Sequence, residues 1–91
     1  MELVCRHYWV EGLVQGVFFR ASTQAQSSLL GLKGWVRNAE DGRVECMACG
    51  RADKICEFER WLRVGPSNAR VDKLDIEVRP VENCTEFTVL P

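Results

Sequence analysis

Apolar positions recur with two different periods along this chain, and the places where the period switches mark its elements. Leu3 to Val10 is rich in apolar and aromatic residues and predicts a central strand. Ala21 to Leu30 mixes Thr23, Ala25, Leu29 and Leu30 with small polar residues, which predicts a helix that Gly31 stops, as a glycine just past a helix end does. Lys33 to Arg37 and Arg43 to Ala48 read as a second and a third strand, with the hairpin signal Asp41-Gly42 between them. Asp53 is expected to cap a second helix running to about Val64, since Ile55, Phe58, Trp61 and Leu62 fall on one face at helical spacing. Gly65-Pro66 ends it. Val71, Leu74, Ile76 and Val78 alternate imperfectly up to Arg79, as a strand with a turn or bulge does, and Glu86 to Leu90 predicts a short last strand.

The order β-α-β-β-α-β plus a small extra strand predicts an α+β, ferredoxin-like two-layer sandwich, with two helices on one face of an antiparallel sheet. Right-handed crossovers make the first and second strands run the same way, so their C-terminal ends share one sheet edge. The segment from Gly12 to Arg20 and the turn at Asn38 should therefore meet, although Arg20 and Asn38 are 18 positions apart in the chain.

Composition narrows the picture without pointing to a chemistry. The 91 residues are read as one domain, 1–91, and 46% apolar with 27% charged residues suits a globular chain. No apolar run is long enough for a membrane helix and the N-terminus lacks the regions of a signal peptide, so no membrane partner and a cytoplasmic location are expected. A net charge of −1 gives no basic surface for nucleic acid, so no nucleic-acid partner is expected. A monomer is the default. Five cysteines without a secretory leader read as reduced, mostly buried thiols. Cys46 and Cys49 lie three apart on a strand, which points their sulfurs to opposite faces and makes a poor metal pair, so no metal is expected.

The chemistry is concentrated in Gly12-Leu13-Val14-Gln15-Gly16-Val17-Phe18-Phe19-Arg20. Two glycines in a short loop let several N–H groups point into one small space, and the start of a helix adds free N–H groups and partial positive charge. Arg20, in the first turn, adds a planar fork of donors that stays charged. These features predict a cradle for a small dianion such as a phosphoryl group.

The same nine residues resemble the acylphosphatase family signature G-x-V-Q-G-V-x-F-R at every specified position. The run Gly34-Trp35-Val36-Arg37-Asn38-Ala39-Glu40-Asp41-Gly42-Arg43-Val44, closing at Gly50, resembles that family's second signature. Phe58-x-x-Trp61-Leu62-x-x-Gly65-Pro66-x-x-Ala69-Arg70-Val71 is similar to its later helix and turn, so the resemblance spans nearly the whole chain. It implies a small single-domain enzyme that hydrolyses acyl phosphates to a carboxylate and inorganic phosphate, without cofactor or metal. It further implies that the backbone N–H groups of Gln15, Gly16, Val17, Phe18, Phe19 and Arg20, with the Arg20 guanidinium, bind the phosphoryl oxygens. Asn38 would hold the attacking water. Thr23 also matches, and is expected to support the helix start or Arg20. Phe18 occupies a slot that varies in the family and would line the mouth of the site. Nothing obvious recognises one acyl group, so broad specificity across acyl phosphates is expected.

Plainer readings accompany these. The only histidine, His7, lies early in the first strand and reads as structural rather than as a general base, and Trp9, Trp35 and Trp61 read as packing. Cys5 and Cys49 come together in this topology, which brings a disulfide within reach although reduced thiols remain the default. The alternative to an enzyme is a non-catalytic ferredoxin-like module that binds an anion or a partner, because this fold hosts many functions.

Overall fold

The computed structural model describes residues 2–91. Its elements are β1 (Leu3–Leu13), α1 (Phe19–Leu29), β2 (Lys33–Asn38), β3 (Val44–Arg51), α2 (Ala52–Leu62), β4 (Arg70–Arg79) and β5 (Phe87–Val89). They form a ferredoxin-like βαββαβ fold with a short C-terminal strand, the sheet order being β4-β1-β3-β2-β5.

Side chains that alternate along the central strands divide between two faces. Tyr8 and Val10 of β1, Val36 of β2, and Val44, Cys46 and Ala48 of β3 meet Phe19 of α1 and Ile55, Phe58 and Leu62 of α2 in the main core. A fully buried Phe or Leu is worth about 1.5–3 kcal/mol relative to exposure, so this layer outweighs the smaller cluster opposite. The Tyr8 hydroxyl would be costly in such a core, and it donates to Glu59 Oε2 at 2.9 Å. On the other face Cys5, Met47 and Cys49 form a small cluster against which Trp35 and Cys84 pack.

The expected topology holds in its main lines. β3 pairs antiparallel with both β1 and β2, which makes β1 and β2 run the same way and puts their C-terminal ends on one edge. The imperfect alternation in β4 has the expected cause. Glu11 pairs with Lys73 but Gly12 pairs with Val71, so Asp72 is an extra residue and Val71 and Leu74 both pack on the main core. Cys46 lies in the main core and Cys49 in the cluster on the other face, as strand spacing requires. Cys5 and Cys49 are opposite each other in register and joined by a disulfide.

Several details differ from the sequence reading. The sheet is mixed rather than antiparallel, because β5 lies parallel to β2 at the far edge from β4. The chain between them crosses the free face near the disulfide, where Glu82 N–H reaches Cys5 Sγ at 3.3 Å. β1 runs on through Gly12 to Leu13, so Gly12 belongs to a strand and only Gly16 to the loop. Asp53 does not cap α2. Arg51 holds the cap position without a side-chain bond, and Asp53 sits in the first turn paired with Arg51, because β3 extends to that residue.

His7 is buried, and its Nε2 lies 2.7 Å from Glu45 Oε2. The other carboxylate oxygen accepts from Arg37 Nε. Its ring also meets Trp9 and Trp35 edge-on, a packing role on the free face.

Two buried acids make stability depend on alkaline pH. Burial, helped by the neighbouring charge of Glu59, pushes the Tyr8 phenol far above its ordinary range, and burial pushes the Cys46 thiol up. Both stay neutral when folded and ionise on unfolding above their ordinary values, about 10 for the phenol and about 9 for the thiol. Their contribution is complete below the unfolded values and is lost as pH rises beyond them. Urea stability is expected to stay level to about pH 8, then to fall by up to about 1.4 kcal/mol per pH unit for each group. Cys46→Ala should flatten the first part of that fall. A profile level to pH 11 in the unsubstituted chain would contradict the burial of both groups.

Candidate functional site

The strand ends and the start of α1 enclose a cleft of about 380 Å³ lined by Val14, Gly16, Phe18, Phe19, Arg20, Ala21, Gln24, Asn38 and Val89. Its floor comes from the sharp passage out of β1. Gly16 has φ +77° and Phe18 φ +63°, while Val17 between them does not take a positive φ. Residues that alternate in hand turn successive N–H groups toward one concavity, which is an anion-binding geometry. Gly16 takes its conformation freely, with open space where a Cβ would be.

Helix α1 begins on this loop with its positive end bare. Its first internal bond runs from Ser22 N–H to Phe18 O at 3.0 Å, so the N–H groups of Phe19, Arg20 and Ala21 have no partner within the helix. No side chain caps it and its first turn contains no acidic residue. The helix dipole therefore faces the cleft without a protein anion to offset it. Arg20 adds a full charge. Its Nη1 donates to the Leu90 carbonyl at 3.0 Å, and among the described residues no carboxylate pairs with it. Arg37, Arg43, Arg51 and Arg70 are all neutralised in that way.

Asn38, the last residue of β2, lines the same cleft from the other side. The Gln15 side chain fixes the distance between the two walls. Its Nε2 donates to the carbonyls of Ala39 (2.8 Å) and Arg43 (3.0 Å), tying the loop to the β2–β3 turn. That turn is closed by Ala39 N–H to Arg43 O at 2.8 Å. Thr23 is fully buried, and its hydroxyl donates to Phe19 O at 2.7 Å, which braces the first turn of α1 from behind.

Arg20, Asn38, Gly16, Phe18 and Phe19 thus share one cleft, whereas the side chains of Gln15, Val17 and Thr23 lie outside its lining. Val17 packs on the main core. The Cys5–Cys49 disulfide sits near the opposite end of β1 from the loop. Sequence reasoning missed the contribution of the C-terminal strand. Val89 lines the cleft, the Leu90 carbonyl orients Arg20, and Gln24 Nε2 donates to Phe87 O at 3.1 Å. The parallel pairing of β5 with β2 brings these groups to the edge that carries Asn38.

Among the described residues no helix is long and apolar enough to cross a membrane. Nor do three His, Cys, Asp or Glu side chains there come close enough together to hold a metal ion.

Known proteins resemble this chain in sequence and fold. A family profile described as Acylphosphatase matches residues 6–89. The acylphosphatase of Legionella pneumophila (strain Corby) is 48% identical over 87 residues, covering 96% of either chain. The solved structure of an acylphosphatase from Coxiella burnetii superposes with a TM-score of 0.94 at 42% identity, covering 97% of this chain and 93% of that one. The acylphosphatase from Bacillus subtilis superposes at 0.93 with 30% identity, covering 97% and 99%. The protein whose cleft is described above belongs to the acylphosphatase family.

Proposed function

We propose that this chain hydrolyses the carboxyl–phosphate bond of acyl phosphates, with Arg20 and the loop N–H groups of residues 15–20 holding the phosphoryl oxygens and Asn38 positioning the water. The observation that carries this reading is the uncompensated positive charge of the cleft. The bare end of α1 and an arginine without a carboxylate partner face one small space, and an amide side chain stands across it.

The chemistry fits a cleft with so few reactive groups. Water oxygen attacks phosphorus, the bond from phosphorus to the acyl oxygen breaks, and the departing carboxylate keeps the electron pair. Carboxylates are stable at neutral pH, so the leaving group needs no proton from the protein. Among the described residues the lining holds no Asp, Glu, His, Lys, Tyr or Cys, so a phosphoryl oxygen accepts the proton of the water. Phosphoryl transfer through a loose transition state asks mainly for positioning and charge stabilisation. Asn38 offers both a donor and an acceptor, which suits a water that must be held beside an anion. Arg20 and the amides supply the positive charge that a metal supplies elsewhere.

The test is hydrolysis of benzoyl phosphate in the presence of EDTA by the unsubstituted chain and by Asn38→Ala. Activity should survive EDTA, and Asn38→Ala should lose roughly 10²–10³ in kcat with little change in KM. Loss of activity in EDTA would refute the metal-free route. A folded unsubstituted chain that binds inorganic phosphate without hydrolysing benzoyl phosphate would favour the anion-binding module instead.

A further inference from the structure

Three of the five cysteines gather on the free face of the sheet, near the opposite end of β1 from the cleft. Cys5 and Cys49 form the disulfide, and Cys84 packs against the cluster they make with Met47. Cys84 belongs to the connector from β4 to β5, where residues 80–86 form no helix or strand. It is the one residue of that connector that is not exposed. The side chain that anchors the connector is therefore a thiol, and it lies against a disulfide.

The two sulfurs of that disulfide are not equivalent. Cys49 and Cys84 together line a cavity of about 290 Å³, whereas Cys5 is fully buried and does not line it. The Cys5 sulfur instead accepts the Glu82 N–H at 3.3 Å, two residues before Cys84 in the connector. Disulfide exchange needs a thiolate that can reach one sulfur and a second sulfur that can leave with negative charge. Cys49 is the sulfur within reach, and Cys5 already has a donor to meet the charge. Lys33, opposite Cys49 in the β2–β3 register, lines the same cavity and adds a positive group beside the sulfurs.

We propose that Cys5, Cys49 and Cys84 form a thiol–disulfide exchange site, in which the disulfide moves between Cys5–Cys49 and Cys49–Cys84. Cys84 gives its proton to solvent and bonds to Cys49 Sγ. The bond from Cys49 to Cys5 breaks, and Cys5 leaves with the electron pair and takes a proton from solvent. One disulfide and one thiol are present before and after, so no oxidant or reductant is consumed. What changes is the pair of segments that the disulfide fastens. Between Cys5 and Cys49 it joins strands that already pair in register, whereas between Cys49 and Cys84 it ties β3 to the segment leading into β5. The inference is independent of the phosphoryl chemistry, because none of the three cysteines lines the cleft.

The experiment uses Cys56→Ser, which removes the exposed thiol of α2 and leaves the three sulfurs and the buried Cys46. The chain is equilibrated in an oxidising thiol–disulfide buffer at about pH 8, quenched in acidic urea with a maleimide, digested with pepsin and mapped by mass spectrometry. Acid halts exchange during mapping, since the thiolate is the attacking species. Both linkages should appear, with Cys49–Cys84 at about one tenth of Cys5–Cys49 or more. The maleimide should sit on Cys5 in the form that carries Cys49–Cys84, and on Cys84 in the other. Cys84→Ser in the same background should show Cys5–Cys49 alone. Finding only Cys5–Cys49 in the folded Cys56→Ser chain, with Cys84 wholly labelled, would overturn the exchange. So would a folded chain that forms neither linkage in the oxidising buffer.

Discussion

Arg20→Gln is expected to lower kcat/KM for benzoyl phosphate by roughly 10³-fold while leaving the chain folded. Losing one preorganised donor to developing charge costs about 10²–10³, and Arg20 contributes a full charge as well. Fold retention follows from its surroundings. Among the described residues its side chain makes a single hydrogen bond, to the Leu90 carbonyl, and no carboxylate is left unpaired when the charge goes. The substitution should affect binding as well as rate, because the guanidinium meets charge in the bound substrate and in the transition state. Inorganic phosphate gives a readout without catalysis. It should raise the thermal midpoint of the unsubstituted chain in proportion to its occupancy and have little effect on Arg20→Gln.

Arg20→Lys separates charge from geometry. Arginine can donate to Leu90 O with Nη1 and still present other N–H groups as a fork, whereas an ammonium is a point charge on a flexible stem. At least tenfold of the loss should remain in Arg20→Lys. If Arg20→Gln kept activity within tenfold of the unsubstituted chain, the arginine would have no place in the chemistry.

The pairing of Arg20 with Asn38 was legible in the sequence for a reason that can be named. Both are side chains, Arg20 soon after β1 and Asn38 at the end of β2, and the βαβ crossover rule makes those two strands run the same way, so both reach one edge. What β5 contributes was not legible. A three-residue strand can add to either edge, and besides Val89 its part in the site is made by backbone carbonyls, Phe87 O within it and Leu90 O just after it, which have no residue signature. The strain at Phe18 was hidden for the opposite reason, since its side chain argues against the conformation it adopts. Glycines also concealed two roles behind one letter. Gly16 serves the loop by its conformation, whereas Gly12 lies in β1 where a Cβ would overlap the Arg70 carbonyl across the bulge. Motif spacing shows that glycine is present, but whether conformation or space demands it depends on the neighbouring strand.

Gly34→Ala is the substitution expected to cost most in stability. Gly34 pairs with Ala48 of β3 and adopts φ +143°. A Cβ there would overlap the Met47 carbonyl oxygen and come within 3.1 Å of the Ala48 Cα. Both obstacles are backbone atoms of an interior strand, so no side chain can swing aside. On its other side Gly34 donates its N–H to Glu86 O at 3.0 Å, which limits movement toward β5. The added methyl must therefore push β2 off β3, and a loss of about 3 kcal/mol or more is expected, out of a total of about 5–15 for such a domain. Gly42→Ala is the control. Gly42 has φ +95° with nothing within 4 Å of its missing Cβ, so strain alone should cost about 1–2 kcal/mol. Urea midpoints for the two variants measure the difference, and equal midpoints would refute the steric account of Gly34. The damage should also reach the cleft, because Asn38 closes the same six-residue strand. Under conditions where Gly34→Ala remains folded, its kcat should fall below that of Gly42→Ala, since displacing β2 moves Asn38 away from the wall that carries Arg20.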